Sequence, residues 1–191
     1  NSFTVVENNA VLYYKLELEL KGDYQQKNAI TCIAAFIELE KMGYQISEEA
    51  LRKGFRNVCE LTGLKGRWQK IADAPKTICD TGHNEHALKH IVKQAHEVAN
   101  HVHWVLGMAS DKEHAKALNL FPKTDSFYWT SSSSTRTIDS AALAEIALTS
   151  GYHGTEYSSV QEALNAAIKH AKEDDLIFVG GSTFVVADLN I

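Results

Sequence analysis

The sequence has 191 residues, of which 45% are hydrophobic and 23% are charged, and its formal net charge is −5 at pH 7. These proportions predict a globular protein with a sizeable core, and the negative balance argues against a broad nucleic-acid-binding or acidic-membrane-binding surface. Because no apolar run is long enough to span a membrane and no signal-peptide pattern opens the sequence, we expect a soluble, cytoplasmic protein.

Residues 1–62 predict one strand followed by two helices. The stretch LYYKLELEL (12–20) alternates apolar and polar residues, which predicts a half-exposed, antiparallel strand. The first helix is predicted to end near Gly43, and the second to begin at the N-cap Ser47. The residues predicted to face the core are Leu12, Tyr14, Leu16, Leu18 and Leu20 in the strand, and Ile30, Ile33, Ile37, Leu51, Phe55 and Val58 in the helices.

Beyond Gly63 the pattern changes to short apolar strands that alternate with helices. The predicted strands are KTICD (76–80), HVHWVLG (101–107), SFYWT (126–130) and DLIFVGG (175–181). The predicted helix starts are near Asn84, at a capping box Ser110–Glu113, at Asp139 and at Ser159. This alternation predicts an α/β domain with a mostly parallel sheet flanked by helices, and we place a domain boundary between residues 62 and 63.

The stretch DTGHN (80–84) follows the predicted strand KTICD. In an open parallel sheet, ligands bind at the carboxyl ends of the strands, where loops lead into helices. Asp80 could accept hydrogen bonds from ribose hydroxyls there, while Gly82 would let the backbone turn sharply. Alternatively, Asp80 or Asn84 only caps the next helix. The pattern alone leaves both interpretations open.

Three histidines in the same region, His83, His86 and His90, raise the question of a metal site. They lie within two helical turns, but no HExxH or CxxC motif accompanies them, and protein zinc sites need three or four ligands. A solvated helix face that carries unrelated histidines is the better interpretation. We therefore predict no metal ligands in this chain.

Three further segments contain residues that could bind an anion. Arg67, beside Trp68 in LKGRWQ (64–69), could clamp a phosphate or stack on a base, or it could be an ordinary surface arginine. Ser182 in VGGST (179–183) could belong to an anion-binding nest or to a plain strand-to-helix turn. Arg136, at the end of SSSSTR (131–136), could bind an anion or face solvent. Together these residues indicate a nucleotide or anion site without identifying it.

Four stretches in this order, LKGDYQQKNA (20–29), GLKGRWQ (63–69), DTGHNEHAL (80–88) and DLIFVGGSTFVVAD (175–188), resemble one family. They are similar to the C-terminal part of the folylpolyglutamate synthase/dihydrofolate synthase family, within the Mur ligase superfamily of ATP-dependent amide-forming ligases. The resemblance implies that residues 63–191 form a Rossmann-like C-terminal domain. It also implies that residues 1–62 are the tail of the central ATP-binding domain.

The resemblance implies a reaction in which ATP phosphorylates a carboxylate of folate or dihydropteroate, and the amine of L-glutamate attacks the acyl phosphate. It assigns nucleotide contacts to Asn28, Arg67 and Asp80, with the aspartate on ribose and the arginine on phosphate. His83 is implied beside the nucleotide and the amino acid, where a catalytic role is undecided, and Ser182 in the glutamate site.

The sequence departs from the family pattern in two ways. Gly82-His83-Asn84-Glu85 stands where the family usually has Ala-His-Asn-Pro, so the helix start is less fixed. The P-loop, the Mg²⁺ ligands and the modified lysine of the family have no counterpart, so we expect part of a longer, monomeric ligase that is inactive alone. The alternatives are a Mur peptidoglycan ligase, a cyanophycin-type amino-acid ligase and a non-catalytic nucleotide-binding module.

Overall fold

The computed structural model describes residues 2–111 and 113–189, which divide into two compact units between Lys65 and Gly66. The first unit begins with an antiparallel hairpin of β1 (Ser2–Glu7) and β2 (Ala10–Glu17). Its helices are α1 (Gln25–Lys41), α2 (Glu48–Arg56) and α3 (Val58–Thr62). Asn8 and Asn9 join the strands with φ angles of 49° and 64°, the left-handed conformation that two-residue hairpin turns require.

The predicted strand at 12–20 is antiparallel, but it ends at Glu17 and its strict alternation is wrong. Leu16 and Leu18 are buried, whereas Leu12 and Tyr14 are exposed and Tyr13 packs toward the core instead. The set of side chains that points toward the core switches from odd-numbered to even-numbered residues at Lys15, because its φ angle of 47° interrupts the extended backbone. One irregular residue is enough to move every preceding side chain to the other face of a strand.

The helices of the first unit follow the predicted caps more closely than the predicted faces. Ser47 caps α2 as expected, since its Oγ accepts the Ala50 N–H at 3.1 Å. Ile33 and Leu51 are buried, but Ile30 is exposed. The second predicted helix breaks at Asn57, so that the remaining turn forms α3.

The second unit contains a six-stranded sheet with helices on both faces. Its strands are β3 (Gln69–Asp73), β4 (Lys76–Asp80), β5 (Val102–Leu106), β6 (Ser126–Thr130), β7 (Gly154–Tyr157) and β8 (Leu176–Gly180). Their order is β3-β4-β8-β5-β6-β7, and every neighbouring pair is parallel except β3 with β4. The predicted fold class and all four predicted strands are confirmed. The mostly exposed edge strands β3 and β7 lacked an apolar pattern and were not predicted.

The helices of this unit are α4 (Glu85–Val98), α5 (His114–Leu118), α6 (Ser140–Thr149), α7 (Val160–His170) and α8 (Thr183–Ala187). The two sheet faces carry separate apolar clusters, because alternate strand residues point to opposite sides. Trp104 and Phe178 pack with α4 and α6 on one face, while Val105 and Val179 pack with α7 and α8 on the other. Burial on both faces explains why the central strands read as continuous apolar runs.

The starts of the helices test the predicted caps. Asn84, Asp139 and Ser159 each accept a backbone N–H at the start of α4, α6 and α7, as predicted. The predicted capping box at 110–113 is wrong, because α5 begins later with no side-chain cap and the Ser110 hydroxyl donates to the Arg136 carbonyl. Lys112 of that box lies outside the described residues. No helix among the described residues is long and apolar enough to cross a membrane.

A chain of polar side chains crosses the amino ends of β5, β6 and β8. His103, which is 3% exposed, donates from Nε2 to the Asp175 carboxylate at 3.1 Å and accepts at Nδ1 from the Tyr128 hydroxyl at 3.0 Å. His170 contacts the same hydroxyl at 3.2 Å. Burial lowers the pKa of His103, an effect that the Asp175 carboxylate opposes and the neighbouring His101 and His170 rings reinforce.

We expect the second unit to lose stability as the pH falls from about 7.5 to about 5.5. Because the pKa of His103 is lower in the folded chain, the unfolded chain takes up this proton first as the pH falls, which favours unfolding. The unfolding midpoint can be followed by intrinsic fluorescence, since the three tryptophans, Trp68, Trp104 and Trp129, are all buried in this unit.

A glutamine at position 103 separates this titration from the others. His103→Gln keeps an amide that can donate to Asp175 and accept from Tyr128 but has no titratable group, so the pH dependence should become shallower. His153→Gln, at an exposed histidine of the same unit, should leave the wild-type slope unchanged. If the unfolding midpoint of His103→Gln depended on pH as steeply as that of wild type, this would contradict the assignment of the pH dependence to His103.

Candidate functional site

The candidate site lies at the carboxyl ends of the parallel strands in the second unit. Asp80, Gly180 and Leu106 end β4, β8 and β5 side by side in register. A Cβ atom on Gly180 would collide with the backbone carbonyl oxygen of Asp80, so only glycine lets the neighbouring strands approach this closely at their ends. Loops leave this edge where an open parallel sheet binds its ligands.

Asp80 is fully buried, and both of its carboxylate oxygens accept backbone N–H groups. Oδ2 accepts the Trp68 N–H at 2.6 Å, and Oδ1 accepts the Gly82 N–H at 2.7 Å. We call this pair of hydrogen bonds the Asp80 clasp. The cap of α4 is Asn84, whose Oδ1 accepts the Ala87 N–H at 2.8 Å, so Asp80 is not the helix cap. The ribose contact of Asp80 stays a prediction.

The clasp holds the loop that carries Arg67. Gly66 has a φ angle of 68°, and a Cβ there would lie 2.7 Å from Thr81 Cγ2 and 2.9 Å from Val186 Cγ1. The Gly66 carbonyl accepts the Thr81 N–H at 3.0 Å, which joins the two loops a second time. Trp68 follows with a φ angle of 50°, a conformation that costs a side-chain-bearing residue about 1–3 kcal/mol.

Two interactions offset this strain at Trp68. A hydrogen bond from its N–H to a carboxylate is worth about 1.5–3 kcal/mol, and the buried indole packs on Phe178 with ring centroids 6.1 Å apart.

Arg67 lies between Gly66 and Trp68, which these contacts hold in place, and its side chain is half-buried. One guanidinium N–H donates to the Gly66 carbonyl at 3.2 Å, and no carboxylate of the described residues forms an ion pair with it. Its positive charge is therefore available to an anion.

Gly82 serves the site in a different way from that expected. Its φ angle is not in the left-handed region, so a sharp turn is not what requires glycine. A Cβ atom at this position would instead lie 2.6 Å from Ile91 Cδ1 and 3.1 Å from Ala87 Cβ. The missing side chain therefore allows α4 to pack closely against the strand end.

His83 lies in the loop before α4, whereas His86 and His90 lie on the helix itself. His83 is exposed, and its Nδ1 donates to the Thr81 carbonyl at 3.0 Å, because a carbonyl oxygen can only accept. In the neutral ring, Nε2 then has a lone pair directed away from that bond. His86 and His90 lie on α4 with ring centroids 4.8 Å apart. Residues 2–111 and 113–189 contain no group of three metal-ligating side chains that could hold a metal ion.

Ser182 lies in the turn between β8 and α8 and is 2% exposed. Its Oγ accepts the Phe184 N–H at 3.2 Å, so the residue is the N-cap of α8. Gly181 precedes it with a φ angle of 85°, where a Cβ would lie 2.8 Å from the Gly107 carbonyl oxygen. The strand-to-helix turn is therefore present, and the assignment of Ser182 to a glutamate site stays a prediction.

Asn28 belongs to the first unit, on α1, where it is exposed. Its Nδ2 donates to Gln25 Oε1 at 2.9 Å. Gln25 is 4% exposed, and its Nε2 is a buried donor with no partner in the described part of the chain. Sequence reasoning missed Gln25, although its position three residues before Asn28 places both amides on one helix face. An unpartnered buried donor beside Asn28 is suited to a ligand with an acceptor atom.

Comparison with known proteins gives consistent results. A family described as "Mur ligase, glutamate ligase domain" matches residues 66–183. The dihydrofolate synthase/folylpolyglutamate synthase of Escherichia coli (strain K12) is 33% identical over 165 residues, which are 85% of this chain and 36% of the relative. The chain thus spans little more than a third of that relative's length.

Solved structures agree with the sequence relatives. A structure described as E. coli FolC in complex with DHPP and ADP is 30% identical with a TM-score of 0.76, covering 95% of this chain and 41% of that chain. A bifunctional folylpolyglutamate synthase/dihydrofolate synthase with Mn, AMPPNP and L-glutamate bound is 30% identical with a TM-score of 0.66, covering 80% of this chain and 36% of that chain. The chain belongs to the Mur ligase family, and residues 66–183 are its glutamate ligase domain.

Proposed function

We propose that this chain is part of an ATP-dependent ligase that adds L-glutamate to a folate or dihydropteroate carboxylate. The main structural support for this proposal is the Asp80 clasp, which fixes the Arg67 loop at the carboxyl edge of the sheet. The relatives named as folate ligases and the neighbour with bound AMPPNP and L-glutamate support the choice of substrates. The first unit then serves as the tail of the ATP-binding domain and the second as the C-terminal domain.

Each residue of the site has a part in this reaction. The Arg67 guanidinium binds a phosphate of ATP, and it also stabilises the negative charge that develops there when a phosphoryl group is transferred to the substrate carboxylate. Asp80 is a positioning residue that acts through the backbone of Trp68. Within the first unit, we assign Asn28, with Gln25, to nucleotide binding.

The amino acid is received next to the nucleotide. The lone pair on Nε2 of His83 can accept a proton from the glutamate ammonium group, which leaves the amine free to attack the acyl carbon as phosphate departs. The hydroxyl proton of Ser182 can be donated to the same substrate, since Oγ uses only a lone pair in capping α8. Mg²⁺ would accompany ATP and neutralise the negative charge that develops on its phosphates.

The full-length protein that contains this chain should form ADP and a glutamylated folate or dihydropteroate when supplied with ATP, Mg²⁺ and L-glutamate. Product mass and ADP release measure the reaction. The 191-residue chain alone should show no turnover, because its sequence contains no P-loop to hold the transferred phosphoryl group.

Other outcomes would replace the proposal. Extension of a UDP-linked precursor instead of folate would identify a peptidoglycan ligase, and amino-acid polymerisation without folate would identify a cyanophycin-type enzyme. Nucleotide binding without turnover by the full-length protein would leave a binding module. Turnover by the isolated chain would refute the claim that it is inactive alone.

In the full-length ligase, Arg67→Ala should raise the KM for ATP about tenfold or more, since a charge-assisted contact to phosphate is lost. Asp80→Asn should also raise this KM, because the amide cannot accept both backbone N–H groups as well as a carboxylate does. If Asp80 acts through the Arg67 loop, the double variant should be little worse than Arg67→Ala alone.

Matched controls are available in exposed positions. Arg56→Ala removes an exposed guanidinium of the first unit, and Asp174→Asn neutralises an exposed carboxylate of the second. Both should leave the KM for ATP unchanged. Fully additive effects of Arg67→Ala and Asp80→Asn would indicate an independent contact of Asp80 with the nucleotide, and unchanged ATP kinetics in both single variants would remove both residues from the site.

A further inference from the structure

We propose that Glu85 is a positioning residue, which fixes the start of α4 through two ion pairs and thereby holds His83 in place for the reaction. This inference rests on the proposed ligase function, in which His83 accepts a proton from the glutamate ammonium group. Glu85 is the first residue of α4, two positions after His83. It stands where the family usually has proline, a departure that by sequence alone leaves the helix start less fixed.

The two carboxylate oxygens of Glu85 each bind a different lysine. Oε1 accepts a hydrogen bond from Lys89 Nζ at 2.8 Å, one turn further along α4, and Oε2 lies 3.1 Å from Lys116 Nζ in α5. Glu113 lies 3.7 Å from the same ammonium group, so Glu85 is the nearer partner. Hydrogen bonds from Lys89 and Lys116 hold the pKa of Glu85 below its ordinary value, which keeps the carboxylate ionised at neutral pH.

The helix that carries Lys116 is itself anchored. Leu118 of α5 is fully buried, in the same apolar cluster as Leu88 of α4. At the start of α5, His114 Nε2 donates to the Ala109 carbonyl at 2.9 Å, which closes the loop after β5. Lys116 therefore extends from a supported element, and its ion pair ties the loop after β4 to the loop after β5.

His83 lies between two fixed points. On one side, the Gly82 N–H is bound by the Asp80 clasp, and on the other side Glu85 holds the helix start. The His83 ring is exposed and makes its own hydrogen bond only to the adjacent Thr81 carbonyl, so its position follows from its neighbours. A proton acceptor works only within hydrogen-bond reach of its donor, and a small displacement lowers the rate.

The test measures steady-state kinetics of the full-length ligase. Glu85→Gln should lower kcat about two- to fivefold, the loss expected from two partly exposed ion pairs. The KM for ATP should stay within about twofold of wild type, because the Asp80 clasp holds the Arg67 loop without Glu85. If Glu85 acts through His83, the double variant with His83→Gln should be little slower than His83→Gln alone.

Glu85→Pro tests whether the helix start is what Glu85 provides. Proline fixes the backbone at the first position of a helix, where the N–H has no partner within the helix, and it needs no charge. The preceding Asn84 has a ψ angle of 161°, in the extended region that a residue before proline requires. This variant should therefore keep kcat within about twofold of wild type.

Two further variants serve as comparisons. Lys116→Met should lower kcat less than Glu85→Gln does, because the pair with Lys89 remains. Glu97→Gln is the matched control, since it removes an ion pair of the same spacing, Lys93–Glu97 at 3.1 Å, near the other end of α4. It should leave kcat unchanged. Unfolding midpoints followed by tryptophan fluorescence identify a variant that is merely unfolded, and if Glu85→Gln is such a variant, Lys116→Met carries the test.

The outcomes distinguish this inference from the function on which it rests. A wild-type protein that does not ligate glutamate overturns both. An active wild type whose folded Glu85→Gln variant keeps the wild-type kcat overturns the inference alone. Two other results also overturn it: a Glu85→Gln effect that adds fully to that of His83→Gln, and a Glu85→Pro variant as slow as Glu85→Gln.

Discussion

The Asp80 carboxylate is the contact on which the rest of the candidate site depends. It is fully buried and accepts one N–H from each of two loops, at Trp68 and at Gly82. A buried carboxylate is stable only when it is paired or hydrogen-bonded, so the loops and the strand end require one another. The Arg67 side chain lies between them, and its position follows from the clasp and not from a contact of its own with a carboxylate. Its charge therefore remains available to a phosphate.

The sheet supplies the frame for this arrangement. Burial on both faces fixes the central strands, and glycine at the end of β8 lets the backbone of β4 approach closely. The two loops that carry Arg67 and Arg136 leave the same edge of one unit, each anchored by a buried or hydrogen-bonded aspartate, Asp80 or Asp188.

The sequence predicted those features that depend on local pattern. The four central strands and the caps at Ser47, Asn84 and Asp139 are visible because continuous apolar runs and capping side chains act within a few residues. The edge strands β3 and β7 were missed because exposed strands have no apolar pattern. The clasp was also beyond prediction, since it joins residues 12 apart through a backbone N–H that carries no sequence signal. The phase change at Lys15 likewise depends on a single backbone angle.

The most direct test of the clasp is amide hydrogen exchange of the chain, residue by residue, in wild type and in Asp80→Ala. The account predicts slow exchange of the Trp68 and Gly82 amides in wild type and fast exchange of both in the variant, with the Leu88 amide of α4 protected in each. Protection of Trp68 and Gly82 that persists in Asp80→Ala would show that other contacts hold the Arg67 loop, and would contradict the central claim.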